Sequence, residues 1–180
     1  MSESLLSKPL APGLDQPLEV LTACHGRMMS QLQTLDRLVR WLPEHGADAD
    51  ACRAATNVVR YFDTAAVNHH QDEEDSLFPI LFERVSTAGR PRLRKLVDWI
   101  HQDHVEMTAA WESLRRQLLA IAAGESAELC ADEVANFASR YHSHIDREDN
   151  ELFPYAAQLL TPADLTALSE QMVARRRLPR

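Results

Sequence analysis

With 180 residues, 45% of them hydrophobic and five of them glycine, the chain can bury one real core, and its composition excludes a disordered or low-complexity protein. A formal charge of −8 argues against wholesale nucleic-acid binding, and the short, charge-broken apolar stretches offer no candidate for a membrane-spanning helix. Cys24, Cys52 and Cys130 are odd in number and form no CxxC pair, which argues against a disulfide framework and a thiolate zinc site; they read as reduced, mostly buried small residues.

Residues 1–17 carry Pro9, Pro12, Gly13 and Pro17 and are expected to form an irregular lead-in. They lack a basic start followed by an apolar run, so no secretory signal is expected and a cytoplasmic location follows. A first helix should run from about Leu18 to Trp41, stopped by Pro43 and Gly46. A second should span about Asp50 to Glu83, with Gly89-Arg90-Pro91 separating it from a third of about Arg92 to Ala123. Gly124 marks the next turn, and Ser126 is a candidate N-cap for a fourth helix reaching about Leu160. Thr161, Pro162 and Asp164 read as the N-cap, first helical residue and acidic third residue of a short fifth helix ending near Val173. Beyond it Arg175, Arg176, Arg177 and Arg180 form a small basic tail, read as solvated. Period-two strand patterns are nearly absent. The expected fold is therefore all-α: an up-down-up-down four-helix bundle over 18–160 with a short C-terminal fifth helix and basic tail in 161–180. Binding sites in such a bundle fall between facing helices.

An internal repeat carries the chemistry. Residues 69–79 read HHQDEEDSLFP and residues 144–154 read HIDREDNELFP, so a histidine, a glutamate four later and Leu-Phe-Pro recur in register. A fainter match links the first and third helices: His25 is followed by Met28, Leu32, Leu35 and Val39, and His104 at the same offsets by Met107, Trp111, Leu114 and Leu118. These offsets follow the seam of a packed helix, which puts both histidines on the core-facing stripe.

A lone histidine on an apolar face is usually a satisfied core residue, and a lone HxxxE is usually a surface pair. Four helices each offering an inward histidine, two of them adding a glutamate one turn on, call for a different reading. Burying such a set unpaired is costly, whereas metal coordination satisfies every donor. The candidate ligands are His25, His69, Glu73, His104, His144 and Glu148. Mixed imidazole and carboxylate ligation suits iron, manganese or zinc. His70 and Glu74 stand one step, about 100° of helix, from the matched pair and read as solvated or supporting residues. His101 is open between a seventh ligand, a supporting partner and a surface residue, and His142 should point away. Tyr61 and Tyr141 lie close enough to the same face to hydrogen-bond a bound ligand, with core packing the plainer reading. Asp72, Asp75, Asp146 and Asp149 should form polar faces or grip ligand imidazoles. Pro79 and Pro154 should break the helical ladder, freeing the carbonyls of Asp75 and Asn150 and leaving a kink or a helix end.

In this order and spacing the residues resemble the hemerythrin-like (HHE cation-binding) family: His25, His69-xxx-Glu73, His104 and His144-xxx-Glu148, with Leu77-Phe78-Pro79 and Leu152-Phe153-Pro154 after the two ligand turns. The resemblance covers about Leu18 to Leu160. It implies a non-haem centre of two iron ions, with manganese or zinc as substitutes. Oxygen-carrying hemerythrins present two ligating histidines four apart in helix three and a histidine with an aspartate five later in helix four. Here helix three has His101 and His104, three apart, and the fourth-helix pair ends in Glu148.

The family implies binding or sensing of a small diatomic ligand such as oxygen or nitric oxide. The alternatives are a di-iron enzyme or iron donor in oxidative or nitrosative stress, turning over peroxide or nitric oxide or repairing iron–sulfur clusters, and a metal-responsive interaction module. The partners expected are metal ions and the small ligand, with no nucleic acid and no membrane; the sequence names no protein partner.

Overall fold

The computed structural model describes residue 13 and residues 15–177. The expected irregular lead-in falls largely outside the described residues, as does Arg180. Five helices make up the rest: α1 (Pro17–His45), α2 (49–84), α3 (Arg90–Ala122), α4 (131–159) and α5 (Pro162–Arg177), with no strand among the described residues. α1 packs against α2 and α4, α2 against α3 and α3 against α4, and α5 lies across α1 and α2. This is the expected bundle with a fifth helix added.

Local chemistry explains most of the boundaries. Pro17 opens α1, where a missing N–H is harmless. Pro43 does not stop this helix. It sits in the last turn, and the chain turns only at Gly46, whose φ of 64° suits glycine and whose N–H bonds the Leu42 carbonyl at 2.8 Å. Asp48 caps α2 by accepting the Ala51 N–H at 2.8 Å. Ser126 does not cap α4, because its Oγ accepts from the N–H of Glu128 in the preceding turn and the helix opens later, at Ala131. The fifth helix begins as its sequence suggests: Thr161 N–H donates to Asp164 Oδ2 at 2.9 Å, and Asp164 N–H returns to Thr161 Oγ1 at 3.3 Å.

Neither Pro79 nor Pro154 ends its helix, which overturns the helix-end alternative. Both helices run on, to residues 84 and 159. The missing N–H is absorbed by a π turn immediately before each proline-bearing segment, Glu73–Leu77 on α2 and Glu148–Leu152 on α4. A further π turn, Phe62–Ala66, lies earlier on α2. Such turns insert an extra residue and re-aim the side chains that follow.

Two apolar clusters fill the bundle. One holds Met28, Leu35, Val58, Phe62, Met107, Leu114, Phe137 and Tyr141; the other holds Leu21, Leu77, Leu81, Leu93, Ile100, Leu152, Phe153 and Met172. Every main helix contributes to both, and the stretch between the two contributions carries the buried histidines: His25 between Leu21 and Met28, His69 between Ala66 and Leu77, His104 between Ile100 and Met107. The apolar layers thus clamp one polar layer at a fixed height.

Two arginines of the basic tail, Arg175 and Arg176, are not simply solvated, although Arg177 is exposed. Arg175 Nη1 and Arg176 Nη2 both donate to Asp72, the second at 2.6 Å, and Asp72 is fully buried. A buried carboxylate needs such partners, so α5 is tied to α2 at the residue before Glu73. Arg84 adds a second tie, donating to Asp164 through Nε at 2.8 Å and Nη2 at 2.7 Å.

Candidate metal centre

The six candidate ligands meet in the polar layer, and none is more than 3% exposed. His25 Nε2 and His69 Nε2 stand 3.2 Å apart, and His104 Nε2 and His144 Nε2 stand 3.1 Å apart. The two glutamates span these pairs. Glu148 places Oε2 3.0 Å from His25 Nε2 and Oε1 2.9 Å from His144 Nε2. Glu73 places Oε1 3.5 Å from His69 Nε2 and Oε2 3.5 Å from His104 Nε2.

Short as these distances are, none of the four carboxylate oxygens has an aligned hydrogen-bond donor among the described residues. Buried carboxylate oxygens are rarely left in this condition. Nitrogen and oxygen atoms are aimed past one another into shared space, as donors around a cation are. They fall into two groups that could each hold an ion, His25, His69, Glu73 and Glu148, and Glu73, His104, His144 and Glu148, with the donor atoms of each group within 4.8 Å of one another. Both glutamates belong to both groups. The residues present therefore fit a two-metal centre with shared carboxylates, a relation that sequence left open.

The outer ring of contacts sets the imidazole orientation. His25 Nδ1 donates to Asp149 Oδ1 at 2.9 Å and His104 Nδ1 to Glu74 Oε1 at 2.6 Å, while His144 Nδ1 lies 3.1 Å from Asp103 Oδ2. Placing the proton on Nδ1 leaves the Nε2 lone pair for the interior. His69 Nδ1 is buried without a hydrogen-bond partner among the described residues, and the His144–Asp103 approach is an ion-pair contact without an aligned hydrogen bond.

Electrostatics in the layer follow from burial. Burial, with Glu148 beside it, pushes the Glu73 carboxyl well above the usual range. Burial acts on Glu148 in the same direction, but His144 and the other imidazoles outweigh it and hold that carboxyl well below its usual range. Desolvation takes His69 down to about 4 and also lowers His104, keeping both as neutral imidazoles, the form that binds metal. His144 is desolvated too, yet Glu148 and Asp103 lift it to about 9. Glu148 is thus ionised among the imidazoles, while Glu73 and His144 hold protons that a bound cation would displace.

The remaining residues singled out in the sequence divide sharply. Asp149 grips an imidazole as expected, whereas Asp75 and Asp146 are exposed and Asp72 serves the arginines of α5. His101 is brought only to the rim: its side chain is 60% exposed, with Nδ1 3.3 Å from Glu74. His142 is exposed. Tyr61 donates its hydroxyl to the Cys24 carbonyl at 3.3 Å, the plain core role, and Tyr141 packs against Phe62 and Phe137. Cys24 is buried and accepts from Arg27 Nη2 at 2.8 Å; burial raises its thiol pKa, so it is a packed thiol and not a reactive thiolate. Glu74 takes the supporting role, one of its two readings from sequence, whereas sequence reasoning missed Asp103 as an imidazole partner. The only available signal for Asp103 was its place beside His104.

The sequence profile of the hemerythrin HHE cation-binding domain matches residues 16–156. The chain belongs to this family. An uncharacterized protein of Haemophilus influenzae is 28% identical over 164 residues, spanning 91% of this chain and 92% of that relative. As a hemerythrin HHE domain the chain is expected to bind metal, and its clustered histidines and glutamates supply groups able to do so. Within the family pattern, helix three brings only His104 into the layer.

Proposed function

We propose that this hemerythrin HHE protein holds two metal ions, iron in the first instance, on His25, His69, Glu73, His104, His144 and Glu148, and uses them to bind or sense a small diatomic ligand such as oxygen or nitric oxide. The observation that carries the reading is the sharing of Glu73 and Glu148 by two four-residue donor groups. A carboxylate donor set with neutral imidazoles favours a divalent ion of intermediate hardness, and iron is the member of that group that reacts reversibly with diatomic gases.

Depth sets the size of the ligand. All six candidate ligands are buried, and the groove of about 780 Å³ between α3 and α4, lined by Trp99, Asp103, Phe137 and Arg140 among others, reaches Asp103 but none of the six. Only a molecule of a few atoms passes such a wall without opening the bundle. When bound, the metals supply Lewis acidity and one-electron chemistry. The chain's own residues fix the imidazoles through Asp149, Glu74 and Asp103, and exclude bulk water with the apolar layers above and below. A cytoplasmic setting belongs to the same proposal and rests on three free cysteines.

The test is metal analysis with ultraviolet–visible spectra of anaerobically iron-loaded protein before and after air, for wild type, His69→Ala and Glu148→Ala. About two irons per chain, with a ferric absorption that both substitutions abolish, supports the reading. Absence of stoichiometric metal, or binding indifferent to both changes, overturns it. Repeated additions of oxygen or nitric oxide then separate a sensor, which binds and holds, from an enzyme, which consumes.

A further inference from the structure

His70 is the neighbour of a candidate ligand that the six-residue centre leaves without a role. Its imidazole stacks on that of His104, with ring centroids 3.9 Å apart and planes 14° from parallel. Its Nε2 is buried and has no hydrogen-bond partner among the described residues, although the residue as a whole keeps some exposure. A ring nitrogen from each of His70, His104 and His144 lie within 4.8 Å of one another.

On an α-helix His69 and His70 point about 100° apart, so both can serve one cavity only where the boundary between them, and not either residue, faces inward. The helix here is not regular. Val67–Asp72 is a short α-helical piece between the π turns Phe62–Ala66 and Glu73–Leu77. The extra residue in each turn rotates this piece against the bundle, so that the boundary between the two histidines, and not His69 alone, faces the interior. His69 then serves the group with His25, and His70 comes to the group with His104 and His144.

We propose that His70 is a seventh protein ligand, the third imidazole of the metal held by His104 and His144. The inference rests on the two-metal reading above. Its consequence is inequivalence. The side of His104 and His144 gathers a third imidazole, His70, whereas the side of His25 and His69 has two imidazoles with the glutamates.

The experiment loads the full chain anaerobically with ⁵⁷Fe(II) and measures iron content, stepwise competition by a chelator, and Mössbauer spectra for wild type, His70→Ala and the exposed-residue control His101→Ala. Wild type and His101→Ala should hold two irons with distinguishable signals. His70→Ala should keep one iron at wild-type affinity, bind the other about tenfold or more weakly, and alter only one of the two signals, with added imidazole restoring the second iron. Should circular dichroism show His70→Ala to be unfolded, His70→Asn gives the same readouts with a side chain closer in size. If wild type holds two irons while the folded His70 variant binds both with unchanged affinity and spectra, His70 is not a ligand. If wild type itself fails to hold two irons, the two-metal reading falls and takes this inference with it.

Discussion

Glu148 reaches His25 across the bundle with one carboxylate oxygen, at 3.0 Å, while its other oxygen stays 2.9 Å from His144 on its own helix. One side chain thus joins the two histidine pairs. A shared carboxylate predicts a mutational pattern that separate sites do not produce. Glu148→Ala should reduce metal content at both positions, whereas His25→Ala should leave the His104 and His144 side occupied. Metal analysis with a mixed competitor distinguishes the cases; a Glu148→Ala protein that cleanly keeps one tightly bound ion would rule out sharing.

Glu73 gives a second prediction through folding linkage. Its carboxyl is fully buried beside Glu148 with no aligned donor, and burial holds its proton well above the usual range, so metal replaces that proton and uses a group that is otherwise unsatisfied. Metal at about a hundred times its Kd should stabilise the wild type by about 2.7 kcal/mol per independent site. Glu73→Gln keeps the shape and removes the charge, and should lose most of this metal-dependent gain while folding normally without metal. Thermal melts with and without a chelator measure both; an equal metal-induced rise in Tm for the two proteins would exclude Glu73 from the centre.

The legible part of this architecture is the part written in periodic or repeated residues. The HxxxE…LFP repeat and the matching stripes after His25 and His104 place six donors on inward faces, and the structure brings those six together. What stayed hidden depends on departures from regular helix or on distant partners. Setting His70 aside assumes that the helix keeps one register against the bundle with His69 pointing straight in, and the π turns on either side of Val67–Asp72 change that register. The turn at Glu73–Leu77 and its counterpart at Glu148–Leu152 leave as their trace a proline six residues after the glutamate, which reads equally as a break. Arg175 and Arg176 look like any charged terminus in sequence, because their partner Asp72 lies more than 100 residues away. Ser126 failed as a cap because its hydroxyl has a nearer local donor in Glu128.

The clamp of α5 on Asp72 supplies a third prediction. Removing Arg175 and Arg176 together leaves a fully buried carboxylate without its cations, one residue from Glu73. Breaking a buried pair from one side is strongly destabilising, and the partial exposure of both arginines places the loss near the lower end, at roughly 3 kcal/mol. Adding Asp72→Asn to the double arginine variant should recover part of it. Urea unfolding of the metal-free proteins reads the difference. A double variant as stable as wild type would mean that α5 is held by its apolar contacts at Leu168 and Met172 alone.

The other tie of α5 predicts a pH dependence away from the metal layer. Two charge-assisted bonds from Arg84, aided by the Thr161 N–H and hydroxyl, hold the Asp164 carboxyl far below its usual range. A carboxyl whose pKa is lower folded than unfolded contributes stability above the unfolded value, about 3.9, and loses it as pH falls through the folded value. Asp164→Asn should therefore be less stable than wild type by a constant amount between about pH 5 and pH 8, and the gap should narrow only below about pH 4. Urea midpoints of the two proteins at several pH values, with chelator present throughout, test this; a gap that closes already between pH 5 and pH 7 would show that a group other than Asp164 governs the docking of α5.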